Sequence, residues 1–275
     1  MVTGKARAPL VALLTDFGTA DGYVGVMKAV ILGITPDLPL VDLTHAIPPQ
    51  DVRAGAWVLH TVWQDLPPDS ICLGVVDPGV GTERRAVAAA VSGRYFVGPD
   101  NGLLGYVLAA TPATAAVLLD NPRFARPNPS APFHRRDLFA PAAGHLAAGL
   151  DLTHLGTPLA PETLITRALP QPEPHADGWL GHVLHVDHFG TLITDFGPSV
   201  APALLRQPQL RLRVGGTEIH AQAATFAAGP PDTPFALLDS SGHLAIAIRN
   251  GSAAAWLHVG RDAEVLAVGA QRPPV

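Results

Sequence analysis

Ile71-Cys72-Leu73-Gly74-Val75-Val76-Asp77-Pro78-Gly79-Val80-Gly81 decides the fold. Its first six residues are apolar, as in a strand buried on both faces, and Asp-Pro-Gly then forces a tight turn. Doubly buried strands belong to parallel sheets covered by helices. The flanking sequence agrees. Residues 10–14 form another apolar run, closed by Thr15-Asp16-Phe17-Gly18. Residues 22–34 follow with Val26, Val30 and Gly33 at helical spacing, ahead of Pro36. Residues 40–43 read as a further strand. Asp51, just after Pro48-Pro49, is placed to cap a helix carrying Ala54, Trp57, Val58, Thr61 and Val62 on one face. This alternation predicts an α/β N-terminal domain with a largely parallel sheet. Ligands of such sheets gather beyond the carboxyl ends of the strands. Asp16, Thr44-His45 and Asp77 each follow a strand, so three polar clusters are expected at one crevice.

Past Thr82 the pattern changes. Residues 86–91 and 95–97 read as strands separated by Ser92-Gly93, and Gly98-Pro99-Asp100-Asn101-Gly102 as a turn into a short helix. The proline-rich residues 120–133 read as a surface loop that delivers Phe133-His134-Arg135-Arg136-Asp137, with an alanine-rich helix over 138–149. Pro170, Pro172 and Pro174 make residues 169–177 a stiff linker. Beyond it the helical patterns disappear. Strand-like runs at 181–186, 210–214, 236–238, 244–248 and 265–268 predict a smaller all-β, barrel-like domain over 178–275, after the α/β domain over 1–168.

Composition narrows the function class. The net charge is −5 over 275 residues, with no acidic or basic block. A phosphate backbone needs clustered Lys and Arg, so nucleic acid is not an expected partner. Residues 1–9 lack the apolar core and cleavage site of a signal peptide, and no run approaches the ~18 apolar residues of a membrane span. Cytoplasm is the expected setting, without a membrane partner. The single cysteine, Cys72, reads as a buried strand residue. Gly79-Val80-Gly81 lacks the third glycine of a dinucleotide fingerprint and runs into a strand, and no GxxxxGK[ST] occurs, which disfavours a nucleotide-phosphate loop. His182, His185 and His188 are spaced by three in a predicted strand, which puts His185 on the opposite face, and HExxH is absent. No catalytic metal is expected. Asp77 has two readings from its neighbours: a carboxylate capping its own turn, or one held by Arg84 or Arg85 and aimed at substrate. His134, alone at a loop-to-helix junction, reads first as structural.

Seven blocks in order carry a resemblance: TDFGTADGYVGVMKAVI (15–31), VDLTHAIPPQDVRAGA (41–56), VVDPGVGTERRAV (75–87), GPDNGLL (98–104), FHRRDLFAPAAGHLA (133–147), VDHFGTLITDF (186–196) and SSGHLAIAIRNGSAA (240–254). Together they resemble the S-adenosylmethionine (SAM) hydroxide adenosyltransferases, relatives of the SAM-dependent fluorinating and chlorinating enzymes. The resemblance implies an α/β domain joined to a β-barrel, and cleavage of SAM to adenosine and methionine by water attacking the ribose C5′. It places water handling on Asp77, Arg84 and His134, and the ribose hydroxyls on Asp16. Asp187 would take the methionine ammonium and Phe189 would lie beside the nucleoside. Ser240, Ser241 and the backbone near Asn250 would close over methionine and adenine. It implies no cofactor, SAM being the substrate, and a homotrimer with sites at subunit interfaces.

Two positions depart from the family pattern. Thr191 stands where Asn is usual, which puts a side-chain contact to adenosine in question, and Arg135 follows His134 where Gly is usual. The alternatives are a SAM-dependent halogenase forming 5′-halo-adenosine, a non-catalytic adenosine or SAM binder, and a hydrolase of another nucleoside. The halogenating relatives carry hydroxyl-bearing or small residues where this chain has Asp77 and Val80, and a carboxylate repels halide.

Overall fold

The computed structural model describes residues 9–126 and 135–270. The chain divides into two compact units, Met1–Ala168 and Leu169–Val275. In the first unit, β1 (Val11–Thr15), α1 (Tyr23–Ile34), β2 (Leu40–Thr44), α2 (Val52–Val62) and β3 (Ile71–Val75) alternate as the hydrophobic pattern requires. Asp51 caps α2 by accepting from Ala54 N at 3.0 Å. Next come β4 (Ala86–Val91), β5 (Arg94–Pro99), α3 (Gly105–Ala110), β6 (Ala115–Leu118), α4 (Ala140–Ala147) and β7 (Pro158–Leu159). The strand order is β2-β1-β3-β5-β4-β6-β7.

This sheet is mixed, not largely parallel. β2, β1, β3 and β5 run parallel, whereas β4 is antiparallel to β5 and β6, and β7 to β6. The cause is local. Ser92 and Gly93 both hold positive φ, 48° and 72°, and close β4 and β5 into a two-residue hairpin, which only antiparallel strands can share.

Side chains alternate across the sheet into two cores. Val11, Leu13, Ile71 and Leu73 face one way with Met27 and Ile31 of α1 and Ala140 and Ala143 of α4. Ala12, Leu14, Cys72 and Phe96 face the other way with Leu59 of α2 and Val107 of α3. Cys72 is buried, and the loss of solvent pushes its thiol up to about 12, so it stays protonated and inert.

The second unit holds β8 (Glu173–His175), β9 (Gly178–Val186), β10 (Leu192–Thr194), α5 (Ala201–Leu205), β11 (Arg211–Val214), β12 (Thr217–Ile219), β13 (Phe235–Leu238), β14 (Leu244–Ala247), α6 (Ala253–Leu257) and β15 (Glu264–Val268). The path β12-β11-β15-β9-β10-β14-β13 is antiparallel throughout. Just past β12 the chain pairs with β13: Ala223 N donates to Ala236 O and Ala236 N to Ala221 O, both at 2.9 Å. The sheet therefore nearly closes on itself around Val183, Leu192, Phe196, Leu212, Ile246 and Val265. Two details differ from the sequence reading. Part of the stretch expected to be linker, residues 173–175, is strand β8 on β9, and the short helices α5 and α6 interrupt the strands.

Asp195 is the fully buried carboxyl of this unit. Its Oδ1 accepts from His182 N at 2.9 Å, while Oδ2 has no hydrogen bond among the described residues. Burial raises its pKa above the ordinary 3.8, outweighing the pull of the His182 amide and imidazole. The folded chain thus keeps a proton that the unfolded chain has released, and stability falls as pH rises through the window above 3.8. The penalty is complete above the folded value and absent below the unfolded one. Asp195→Asn removes it: Tm at pH 8 should rise by a few degrees, for a gain of about 1 kcal/mol, and the gain should vanish near pH 4. Thermal melts at the two pH values check this, and a lower Tm at pH 8 would mean that the carboxylate stabilises the fold.

Candidate active site

β1 and β3 are parallel neighbours with Thr15 opposite Val75, so Asp16 and Asp77 leave the sheet from adjacent strand ends. Asn101, beyond the end of β5, fixes the last turn of backbone before Asp77. Its Nδ2 donates to Val76 O at 2.9 Å, and its Oδ1 accepts from Leu103 N at 3.1 Å. The Asp77 loop then folds on itself: Val80 N donates to Asp77 O at 3.2 Å, and Thr82 donates to Gly79 O through N at 3.1 Å and Oγ1 at 2.7 Å. Gly81 holds φ +81°, which an L side chain rarely adopts.

The Asp77 carboxylate does not cap this turn. Among the described residues its hydrogen bonds come from Arg84, whose Nε donates to Oδ1 at 2.9 Å and to Oδ2 at 3.1 Å, with Nη2 also on Oδ2. The Asp77 and Arg84 side chains are only 6% and 9% exposed. Gly79 permits the approach, because a Cβ there would stand 3.3 Å from Arg84 Cγ. The guanidinium carbon lies 5.2 Å from the ring centroid of Phe139, at the end of the π-turn Arg135–Phe139 that enters α4. Arg85 turns the other way, to Asp100 and Thr163. His134 lies outside the described residues.

Asp16 is half-buried, and its Oδ2 accepts from Gln50 N at 2.7 Å. Its loop is tied to the end of β2, where Gly18 N donates to His45 O at 2.8 Å.

In the second unit, Asp187 organises the turn after β9. Its Oδ1 accepts from Phe189 N at 2.9 Å and Thr191 N at 2.8 Å, leaving Oδ2 without a hydrogen bond among the described residues. Gly190, at φ +80°, packs so closely on Ser252 that an added Cβ would lie 2.0 Å from its Oγ. The turn is thereby locked, and Phe189 projects 75% exposed. Phe189, Thr191, Phe226, Ile248, Asn250 and Gly251 line a pocket of about 480 Å³, within the range of small-molecule sites. Ser240 and Ser241 are not among these residues. They occupy the turn that starts β14, whereas Asn250 follows its other end, and the Ser241 hydroxyl bonds both Asp239 oxygens at 2.8 Å.

Among the described residues no group of three or more His, Cys, Asp or Glu is placed to hold a metal ion. No described helix is long and apolar enough to cross a membrane.

The N-terminal domain of the SAM hydroxide adenosyltransferases matches residues 11–156, and their C-terminal domain matches residues 181–266. The chain belongs to the SAM hydroxide adenosyltransferase family. Two relatives are each named (R)-S-adenosyl-L-methionine hydrolase. The protein from Salinispora tropica is 40% identical, covering 92% of this chain and 95% of its own. That from Thermus thermophilus is 44% identical, covering 88% and 93%. A fluorinase from Actinoplanes sp. is more distant, at 29% identity. A crystal structure of a conserved protein from Thermotoga maritima superposes with a TM-score of 0.86 at 34% identity, covering 93% of this chain and 98% of that one.

Within the family's N-terminal match lie Asp16, Asp77 and Arg84; within its C-terminal match lie Asp187, Phe189, Thr191, Ser240, Ser241 and Asn250. The structure groups Phe189, Thr191 and Asn250 in one pocket and adds Phe226, which no sequence motif singled out. Asn101 was also missed as a site residue. Its place at a strand end, inside GPDNGLL, was the available signal.

Proposed function

We propose that this chain hydrolyses SAM to adenosine and L-methionine, with water attacking the ribose C5′. The observation that carries the reading is the buried Asp77–Arg84 pair at the end of β3. The leaving thioether departs neutral from a sulfonium and needs no acid, so the burden falls on the nucleophile. A carboxylate offers about four acceptor sites. With Arg84 on one side of Asp77, the remaining sites can hold a water and draw its proton as attack proceeds. Arg84 and the substrate sulfonium then stabilise the developing hydroxide. His134 is assigned to the same water by its family position. The chemistry requires no cofactor and no metal. A fixed carboxylate at this point repels halide, which favours hydrolysis over halogenation.

Asp16 is assigned to the ribose hydroxyls, the Oδ2 of Asp187 to the methionine ammonium, and the 480 Å³ pocket to adenine. Thr191 takes part there through its backbone or hydroxyl. Ser240 and Ser241, a strand's length from Asn250, suit the far end of an extended substrate. We read the protein as a cytoplasmic homotrimer in which a second copy completes each site. Support for self-association comes from α1, whose one charged residue is Lys28 and which exposes Tyr23, Val26 and Leu32.

Incubation with SAM in ¹⁸O-water tests the reaction. Adenosine labelled at the 5′-oxygen is expected, alongside unlabelled methionine, and added chloride should yield no 5′-chloro-adenosine. Label elsewhere, or no turnover, would sink the proposal. Phe189→Ala tests the adenine assignment. Losing one base–aromatic stack, worth about 1–3 kcal/mol, should raise KM roughly tenfold or more while kcat changes little. An unchanged KM in steady-state kinetics would move the base elsewhere.

A further inference from the structure

Beneath Asp16 lies a chain of polar contacts that the reaction scheme does not use. His45, at the end of β2, has a side chain only 5% exposed. Its Nδ1 is 2.8 Å from Thr15 Oγ1, and its Nε2 is 3.0 Å from Asp42 Oδ1. Lys28 Nζ donates to Asp42 Oδ2 at 2.7 Å. Against the upward push of partial burial, the contacts from Lys28 and His45 hold the Asp42 carboxyl below its ordinary value. An ionised carboxylate only accepts, so a proton on Nε2 suits the Asp42 side of the ring, and in that neutral tautomer Nδ1 accepts from the Thr15 hydroxyl. Thr15 Oγ1 in turn accepts from Phe17 N at 3.3 Å. His45 Nε2 lies within ion-pair distance of Asp42 but makes no aligned hydrogen bond among the described residues, so the carboxylate braces the ring by charge and proximity, while Thr15 Oγ1 holds it at Nδ1.

An Asp-His-Thr series has the order of a nucleophilic triad. Thr15 is fully buried, however, and cannot meet a substrate. What the chain surrounds is Asp16. His45 grips the residue before it through the ring, and the residue two after it through the carbonyl, by Gly18 N at 2.8 Å. The same segment, at Gln50, donates a backbone N–H to the Asp16 carboxylate at 2.7 Å, from a residue held at φ 66°.

We propose that His45 is a positioning residue for ribose recognition: its ring, braced by Asp42, fixes the Thr15–Gly18 turn so that Asp16 meets the substrate's hydroxyls. This rests on the assignment of Asp16 to the ribose.

The test is the ratio of Kd for 2′-deoxyadenosine to Kd for adenosine, by calorimetry on the full-length protein. Wild type should prefer adenosine, and Asp16→Asn should abolish the preference. His45→Leu should reduce it about tenfold, the scale of one well-placed hydrogen bond to a charged group. Thr15→Val breaks the same link from its other end and should act alike, with the double variant no worse than either single one. His45→Gln, which keeps a donor and an acceptor, should recover most of the preference. A general loss of folding would weaken both ligands together and leave the ratio in place. If Asp16→Asn abolishes the preference while His45→Leu and Thr15→Val retain it, the positioning role is overturned. If Asp16→Asn itself keeps the preference, the ribose assignment fails and the proposal with it.

Discussion

Asp77→Asn is expected to lose at least a hundredfold in turnover while binding adenosine as tightly as wild type. The substitution is nearly isosteric and the amide oxygen still accepts from Arg84, so the turn and the strand end should persist, at a lower Tm because the nearly buried guanidinium loses its counter-charge. What disappears is the charge. Between an ordinary Asp, with pKa ~3.9, and water at ~15.7, the gap is about 12 units, or roughly 16 kcal/mol for complete deprotonation. A histidine at ~6.5 leaves about 9 units, roughly 12 kcal/mol. Neither residue can make free hydroxide in advance, so proton removal has to accompany attack. Positioned general bases are worth about 10²–10⁴ in rate, and holding the water in line with C5′ supplies much of the remainder. Chromatographic assay of adenosine release gives kcat, and calorimetry with adenosine gives Kd. Full activity in the variant would remove Asp77 from the mechanism. Equal loss of activity and binding would make it a folding residue.

Of the first five elements, β1 and β3 are buried along their whole length and stand out as apolar runs, whereas β2 has no fully buried residue and α1 buries Val24, Met27 and Ile31, leaving Val26 and Gly33 of the expected stripe exposed. The strand Ile71–Val75 has no exposed residue at all, and α2 starts where Asp51 caps it. What escapes is short or non-local. β10 has three residues and β12 three, too few for an alternation to register. The antiparallel half of the first sheet is written in Ser92-Gly93, a two-residue signal outweighed by the βα pattern before it.

The site divides the same way. Asp16 and Asp77 can be placed from sequence because strand ends carry their position. That Arg84, and not Arg85, takes Asp77 depends on the path of a loop around Gly79 and Gly81. Asn101 reaches Val76 only because β5 lies beside β3, and Phe226 joins the pocket of Phe189 from a three-residue turn with no pattern of its own.

Arg84→Met should damage both folding and catalysis, and the two effects can be separated. Both partners are nearly buried, so deleting the guanidinium leaves the Asp77 carboxylate without its hydrogen-bonding cation among the described residues. Breaking a buried pair in this way typically costs 3–5 kcal/mol, which for a unit of this size is about 10 °C in Tm. Turnover should fall at least a hundredfold, because the developing hydroxide loses its stabilising charge. Arg84→Lys keeps the charge but not the fork that occupies both Asp77 oxygens, so it should melt closer to wild type and remain slow. The double variant Asp77→Asn/Arg84→Met removes the stranded charge and should regain most of the lost Tm without regaining activity. Thermal melts and adenosine-release rates on the three variants distinguish the cases. If the double variant melts as low as Arg84→Met, the pair is held for packing against Phe139 and not for its charges. If Arg84→Lys turns over like wild type, the fork geometry has no part in placing the water, and the charge alone suffices.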